Sequence, residues 1–395
     1  MSIDGLIISD ITGRGIYARG EVLNISGVTA SDIRGRALEL FSFSKIVLKN
    51  SQFDKCGDVF LDLYSYASFN GASLIDVNNL KITNVQSGYD TGLYVFMADR
   101  EIKLNNVTIE NVPDGRGMRI YSSSTEANIV IADCLIRNTK SSGNGGGIHL
   151  DNAGNTEIYR TTIENVEVSY GGGIYSSNKS NNIIISNLTI KNATADRYGG
   201  LRFISDNMIV EDSLFENCTA VSGVNKIFDF SWSGDNIFRR CTFIHNNNLK
   251  NLTYETGNHT LLPAAGWFED CTFTNLRINN SENNYIFDSS ESSLTLKNCI
   301  FNFQTGSARL IQKYNLGAPN PYSILMDGVT INNSGGPQPL MVLINYDYFG
   351  STNMFQFKLN NVYNGTPLNS MSAINSLVNS NIIRLQNGAL PTIVP

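Results

Sequence analysis

Apolar residues in this chain arrive in short bursts of alternating or β-branched character. They do not recur every three to four residues. Ile129-Val130-Ile131, Ile183-Ile184-Ile185 and Leu294-Thr295-Leu296 are such bursts. A period near two, with β-branched and aromatic enrichment, predicts short strands and argues against helices. Each burst is followed by a polar pair, often with Asn or Asp, and then by a recurring phrase. The phrase reads Val107-Thr108-Ile109-Glu110-Asn111-Val112, then Cys134-Leu135-Ile136-Arg137-Asn138-Thr139, Thr161-Thr162-Ile163-Glu164-Asn165-Val166 and Leu188-Thr189-Ile190-Lys191-Asn192-Ala193. Weaker copies centre on Ile8, Ala30, Phe53, Ile82, Phe215, Phe243, Phe273, Phe301 and Ile331. Four successive intervals, from Ile82 to Ile190, equal 27 residues.

After each phrase comes a variable loop and then a Gly-led strand. Examples are Gly92-Leu93-Tyr94-Val95, Gly117-Met118-Arg119-Ile120, Gly147-Ile148-His149-Leu150, Gly173-Ile174-Tyr175 and Gly200-Leu201-Arg202-Phe203. A single short strand cannot bury its apolar face alone, but stacking each coil on the next buries one continuous core. The expected fold is all-β, a single-stranded solenoid of about 13 coils with three short strands per coil. The phrase spans nearly the whole chain without a linker, so one domain over 1–395 is expected. Its coils would occupy about 6–365 and a capping segment 366–395, with Ile374 to Leu385 covering the C-terminal end.

Composition fits an ordered repeat. Only 16% of residues are charged while 42% are hydrophobic, and Asn accounts for 50 of the 395. Disorder is excluded by the apolar content and the small net charge of −6. Membrane insertion is not expected without a long apolar run, nor nucleic-acid binding without a dense basic cluster. Met1 to Gly15 lacks the charged-then-apolar pattern of a signal peptide.

Much of the Asn has a fixed phase. Asn84, Asn111, Asn138, Asn165, Asn192, Asn217, Asn275 and Asn333 each lie two residues past a centre. Asn tolerates the left-handed conformation of a sharp corner, and its amide can donate to one neighbour in a stack and accept from the other. Asn106-Val107-Thr108 and Asn187-Leu188-Thr189 therefore read as ladder positions rather than glycan acceptors. His245 sits at a ladder position and reads as a structural substitute. Cys134, Cys241, Cys271 and Cys299 take the first place of the phrase, and Cys56 and Cys218 its last. Val fills these places elsewhere, so the six read as buried free thiols. Pairing within Cys241, Cys271 and Cys299 is the alternative. An interrupted outward column of Thr108, Thr162, Thr189, Thr242, Thr272 and Thr330 reads as β-propensity rather than an ice-binding array.

The three-strand coil with an Asn corner ladder and inward stacks resembles the right-handed parallel β-helix of the pectate-lyase-like superfamily. That superfamily holds polysaccharide lyases, glycoside hydrolases, phage tailspikes and bacterial adhesins. The resemblance covers about residues 6 to 365 and is specific for architecture, not activity. Gly145 to Ile148 and Gly171 to Ile174 look like pieces of β-helical adhesins. Such helices usually carry an N-terminal cap because an open coil is an exposed sheet edge. Here the first coil begins by Leu6, which implies a cap from a longer chain or a partner. The resemblance implies an extracellular, cell-surface or virion-surface setting, and a homotrimer as one assembly.

Function is expected on outward positions. Tyr94, Arg119, His149, Tyr175 and Arg202 should line one column, and Phe96, Tyr121, Asp151, Ser177 and Ile204 a second. Together they would form a strip about 20 Å long suited to a polysaccharide or surface glycan. Tyr94, Phe96 and Tyr121 would pack on sugar rings, and Arg forks would grip uronate carboxylates. In uronate β-elimination, Arg119 or Arg202 would neutralise the carboxylate and His149 or Tyr175 would act as base. In hydrolysis, Asp151 would need a second carboxylate, with Asp62, Asp229 or Asp288 available. Of the three His, His149, His245 and His259, only His149 stands beside an acid in this strip. The expected function is a carbohydrate-active β-helix that binds and cleaves an acidic polysaccharide, with lyase-like β-elimination favoured over hydrolysis. The alternative is a non-catalytic receptor-binding tailspike or adhesin, and the plainest reading of the strip is a solvated surface with a cross-strand His149–Asp151 pair and no chemistry. No metal or cofactor is expected, since Ca²⁺ near Asp114 or Asp196 lacks a ligand-spaced cluster.

Overall fold

The computed structural model describes residues 1–63, 73–97, 101–122, 127–151, 154–220, 228–230, 236–245, 259–263, 266–276, 284–288, 293–305, 307–315, 324–345, 355–386 and 389–394. The side chains of Ile204, Asp229, His259 and Asp288 lie outside the described residues. The described strands form a parallel β-solenoid, with one α-helix, Met371–Asn379, among the described residues. No described helix is long and apolar enough to cross a membrane. The chain divides into two compact units: Met1–Met208 with Cys218–Ala220 and Phe230–Gly234, and Ile209–Asn217 with Val221–Asp229 and Asp235–Pro395.

In the first unit the phrase centres stack in register. Ile8 pairs with Ala30, Ala30 with Phe53, Phe53 with Ile82 and Ile82 with Ile109. The column continues from Ile109 to Ile136, Ile163 and Ile190. Ile82, Ile109, Ile136, Ile163 and Ile190 are fully or almost fully buried. Branched side chains standing on a pleated surface at one strand spacing fill such a column without voids.

The corners turn where the Asn phase places them. Asn84, Asn111, Asn138, Asn165 and Asn192 all have φ between 51° and 60°. The amide of Asn111 donates to Asn84 Oδ1 at 2.8 Å, and Asn138 to Asn111 at 2.9 Å. Asn165 and Asn192 continue the chain at 3.1 Å each. At the other end Asn84 donates to Asp54 Oδ1 at 2.7 Å. A second corner carries Asn50, Asn79 and Asn106, with Asn79 donating to Asn50 at 2.9 Å and Asn106 to Asn79 at 3.3 Å. That bond ties up the Asn106 amide, as a ladder position requires. Further along this corner Arg160 replaces the amide and grips Asp133 with Nε and Nη2 at 2.6 and 2.7 Å.

The second unit uses the same grammar with different filling. Phe215, Phe243, Phe273 and Phe301 stack in register, followed by Ile331 and Tyr363. Ring centroids along the Phe column lie 5.1, 4.9 and 4.5 Å apart at interplanar angles of 12°, 3° and 6°. Asn217 and Asn275 take the left-handed corner. Asn333 does not; its Oδ1 accepts from Gly336 N at 2.8 Å and its amide donates to Tyr363 at 3.2 Å. Here a local turn has captured the side chain that the spacing assigned to the ladder. His245 is buried, and its backbone carbonyl accepts the Asn275 amide at 3.1 Å.

All six cysteines are free and buried. Burial pushes the Cys134 thiol up to about 12. In the C-terminal segment, Ser370 caps the helix by accepting from Ala373 N at 3.2 Å. The helix buries Ile374 and Leu377. The chain then adds Ile383–Gln386 to the Met341–Asn345 strand and Pro391–Ile393 to the Phe355–Phe357 strand. The segment thus extends two ladders as well as contributing a helix.

Candidate functional site

The Gly-led strands of the first unit stand side by side, so their outward residues form two straight columns. Register pairs Tyr94 with Arg119, Arg119 with His149 and His149 with Tyr175. It also pairs Phe96 with Tyr121 and Tyr121 with Asp151. Phe96 and Tyr121 stack with centroids 4.8 Å apart and planes 3° from parallel.

The columns extend further than the Gly-led signal indicates. The Val59–Leu63 strand places Phe60 beside Tyr94 and Asp62 beside Phe96. The Leu38–Cys56 strand then adds Glu39 and Phe41, and Ile16–Ser26 adds Tyr17 and Arg19. Sequence reading named Asp62 but did not align this half, because Ala37 and Asp58 stand where a leading Gly would be on two of its strands and the Gly15-led strand was not joined to the run. The alternation Val59-Phe60-Leu61-Asp62-Leu63 was the available signal. On this stretch Arg36 covers the Phe60 ring at 4.4 Å while holding Glu39 at 2.7 Å and Asp58 at 3.1 Å.

The middle of the face is a polar knot around Asp151. Arg119 Nε donates to its Oδ2 at 2.9 Å and Ser177 Oγ to its Oδ1 at 2.5 Å. His149 Nε2 lies 3.0 Å from Oδ1, off the ideal hydrogen-bond direction. Burial pulls the Asp151 carboxyl upward, but His149, Ser177 and Arg119 outweigh it and hold the group well below the usual carboxylate range. Arg116, which sequence reading did not single out, approaches His149 Nδ1 at 3.1 Å. A guanidinium can only donate, so Nδ1 accepts and the neutral ring carries its proton on Nε2. Desolvation, against the pull of Asp151, lowers the His149 pKa and favours that neutral form. His149 is 5% exposed. In this arrangement it has no free lone pair with which to take a proton.

The remaining candidates are similarly placed. Arg202 lies 4.8 Å over the Tyr175 ring and donates to the Ser176 carbonyl at 3.0 Å. The Tyr175 ring meets His149 edge-on at 5.2 Å. Gly145, at φ 71°, gives His149 its space, since an added Cβ there would come within 2.6 Å of the His149 Cβ. Asp62 is 8% exposed, its Oδ1 has no partner, and desolvation raises its pKa to about 6. It lies three rungs from Asp151, about 14 Å at the strand spacing, beyond the 6.5–9.5 Å of an inverting carboxylate pair. Among the described residues no group of three or more His, Cys, Asp or Glu side chains could hold a metal ion.

The family model for the right-handed beta helix region matches residues 1–160 and 135–262. This chain belongs to the right-handed β-helix family. No curated protein and no solved structure matches it. Parallel coils, corner ladders and outward columns on one face are what a β-helix offers a long ligand. The fold fits carbohydrate-related, adhesin or tailspike roles alike. Distinctions among these must come from the face itself.

Proposed function

We propose that this β-helix is a glycan-recognition protein that binds an extended, acidic polysaccharide along the outer columns of its first unit, at an extracellular, cell or virion surface. The supporting observation is the in-register run Phe41, Asp62, Phe96, Tyr121 beside Phe60, Tyr94 and Arg119. The rings cover one another along the columns and turn their edges outward, where they offer apolar contact to sugar C–H groups, and the polar groups interleaved with them take sugar hydroxyls. Binding without cleavage is favoured because His149 and Arg119 are already committed to neighbours. The protein then acts as a receptor-binding or adhesive segment.

The test is retention on a panel of immobilised acidic and neutral polysaccharides, with the wild type and the Phe96→Ala/Tyr121→Ala double variant. Retention on an acidic polymer that drops at least 10-fold in the double variant supports the reading. Equal retention of both proteins, or none on any polymer, rejects it. Lyase chemistry remains the second reading, because Asp62 combines burial with a carboxyl that desolvation pushes up to about 6. It requires unsaturated uronate absorbing at 235 nm with wild type and none with Asp62→Asn. Absence of product from every uronate polymer removes it.

A further inference from the structure

The one buried guanidinium on this face with no carboxylate at ion-pair distance, among the described residues, is Arg116. It is 7% exposed, Nη1 meets neutral His149, and Nε has no partner. Burying a cation without an anion is costly, and native structures avoid it unless a ligand supplies the charge. The groups whose charge reaches it are Asp90, Arg119, Asp151 and Tyr94. Asp90 is exposed, and Asp151 is spent on Arg119, Ser177 and His149. A second orphan lies alongside. Thr91 is the register partner of Arg116, is 1% exposed, and its hydroxyl has no partner. Two unsatisfied donors on adjacent strands mark a place where an oxygen belongs. Gly143 leaves room for the guanidinium, since an added Cβ would come 2.5 Å from Nη2.

We propose that the Nε–Nη2 edge of Arg116 receives an oxyanion of the bound glycan, a carboxylate or a sulfate ester, with the Thr91 hydroxyl as a second donor. This rests on the glycan-binding reading above. It assigns the charge-reading role to a residue at the start of its strand rather than to Arg119 or Arg202. Arg119 is neutralised by Asp151, and Arg202 lies over a ring and on a carbonyl. A planar fork suits such an anion, and a lysine at this place would keep the charge but lose the two-point geometry.

The experiment is calorimetric titration with polygalacturonate, its fully methyl-esterified form and dextran sulfate. It uses the wild type, Arg116→Met and Arg116→Lys, with Arg160→Met as a control whose fork is filled by Asp133. The wild type should prefer an anionic polymer over the neutral ester by about 10- to 100-fold. That ratio should fall to near 1 in Arg116→Met, fall partway in Arg116→Lys, and stay unchanged in Arg160→Met. Which anionic polymer binds tighter identifies the source of the oxyanion. An undiminished ratio in both Arg116 variants overturns the assignment while leaving glycan binding intact. If the wild type binds none of the three polymers, the glycan reading fails. The anion site is then judged by thermal unfolding in sodium acetate and sodium sulfate. Stabilisation of the wild type that is absent in the Arg116 variants sustains it, and equal or no stabilisation overturns it. Arg116→Lys keeps the test valid should Arg116→Met fail to fold.

Discussion

The two units solve one problem with opposite placements of their aromatic residues. In the first, the inward column through Ile82, Ile109, Ile136, Ile163 and Ile190 is aliphatic, and rings stand outside as Phe41, Phe60, Tyr94, Phe96 and Tyr121. In the second, Phe215, Phe243, Phe273 and Phe301 fill the core and stack nearly parallel. The Phe column and the outer Phe96–Tyr121 pair exploit the same strand spacing, which sets flat rings at a comfortable stacking distance, whereas Phe41, Phe60 and Tyr94 meet tilted or edge-on. An inward ring column converts that spacing into stability. An outward one leaves rings on the surface, where the proposed glycan would lie. The same residue type therefore carries different consequences in the two units, and substitutions should separate them.

The largest effect is expected at Phe273→Ala. Phe273 is 1% exposed and stacks on rings on both sides. Its loss should cost about 3–5 kcal/mol in urea-induced unfolding. A cost below about 1 kcal/mol would mean the Phe column is not a packed core, and the contrast between units would collapse. Next comes the corner. Asn138→Val removes a left-handed residue, one donated and one accepted amide bond, and places a β-branched side chain at φ 56°. About 2–3 kcal/mol should be lost, and Asn138→Gly should lose less because Gly keeps the conformation.

Asp62→Asn should move in the other direction. In the folded chain Asp62 holds its proton up to about pH 6, whereas the unfolded chain releases it near the ordinary carboxylate value. Between these values the folded form binds more protons, so this group's contribution falls as pH rises from about 4 through 6. The substitution should therefore stabilise by about 1–2 kcal/mol at pH 7, with the gain gone by pH 4 in parallel melts. No pH dependence in the difference would show that Asp62 is solvated in solution. The smallest stability effect belongs to Phe96→Ala, about 1 kcal/mol or less for a half-buried ring on the outer face. Its readout is binding: glycan retention should fall while unfolding barely moves. Comparable losses in stability for Phe96→Ala and Phe273→Ala would erase the distinction between the two ring columns.

The period and the ladder were legible in the sequence because both are local and repeated. Asn at a fixed phase, Ile or Phe at each centre and Gly at strand starts gave coil, corner and register together. The outward columns from Tyr94 to Tyr175 followed from the same alignment. Phe41, Phe60 and Asp62 escaped it, since Ala37 and Asp58 replace the leading Gly while the strand continues unchanged. Asn333 shows the opposite error, a matching letter whose side chain a nearby turn captured.

What the sequence determined by itself is the solenoid, since a repeated pattern can be satisfied only by stacking copies of one coil. What only the tertiary structure decided is which charges are already spent. Arg119, Arg202 and His149 look equally available on paper. Asp151, Ser176 and Arg116 reach them from neighbouring coils and change what each can do. Arg116 draws no attention in its own strand, and its unpaired edge becomes visible only once Thr91 and Gly143 are beside it. Repeats fix where backbones lie, because hydrogen bonding and packing act on every coil alike. The balance of charge at one place depends on residues 26 to 33 positions apart, which no local pattern encodes.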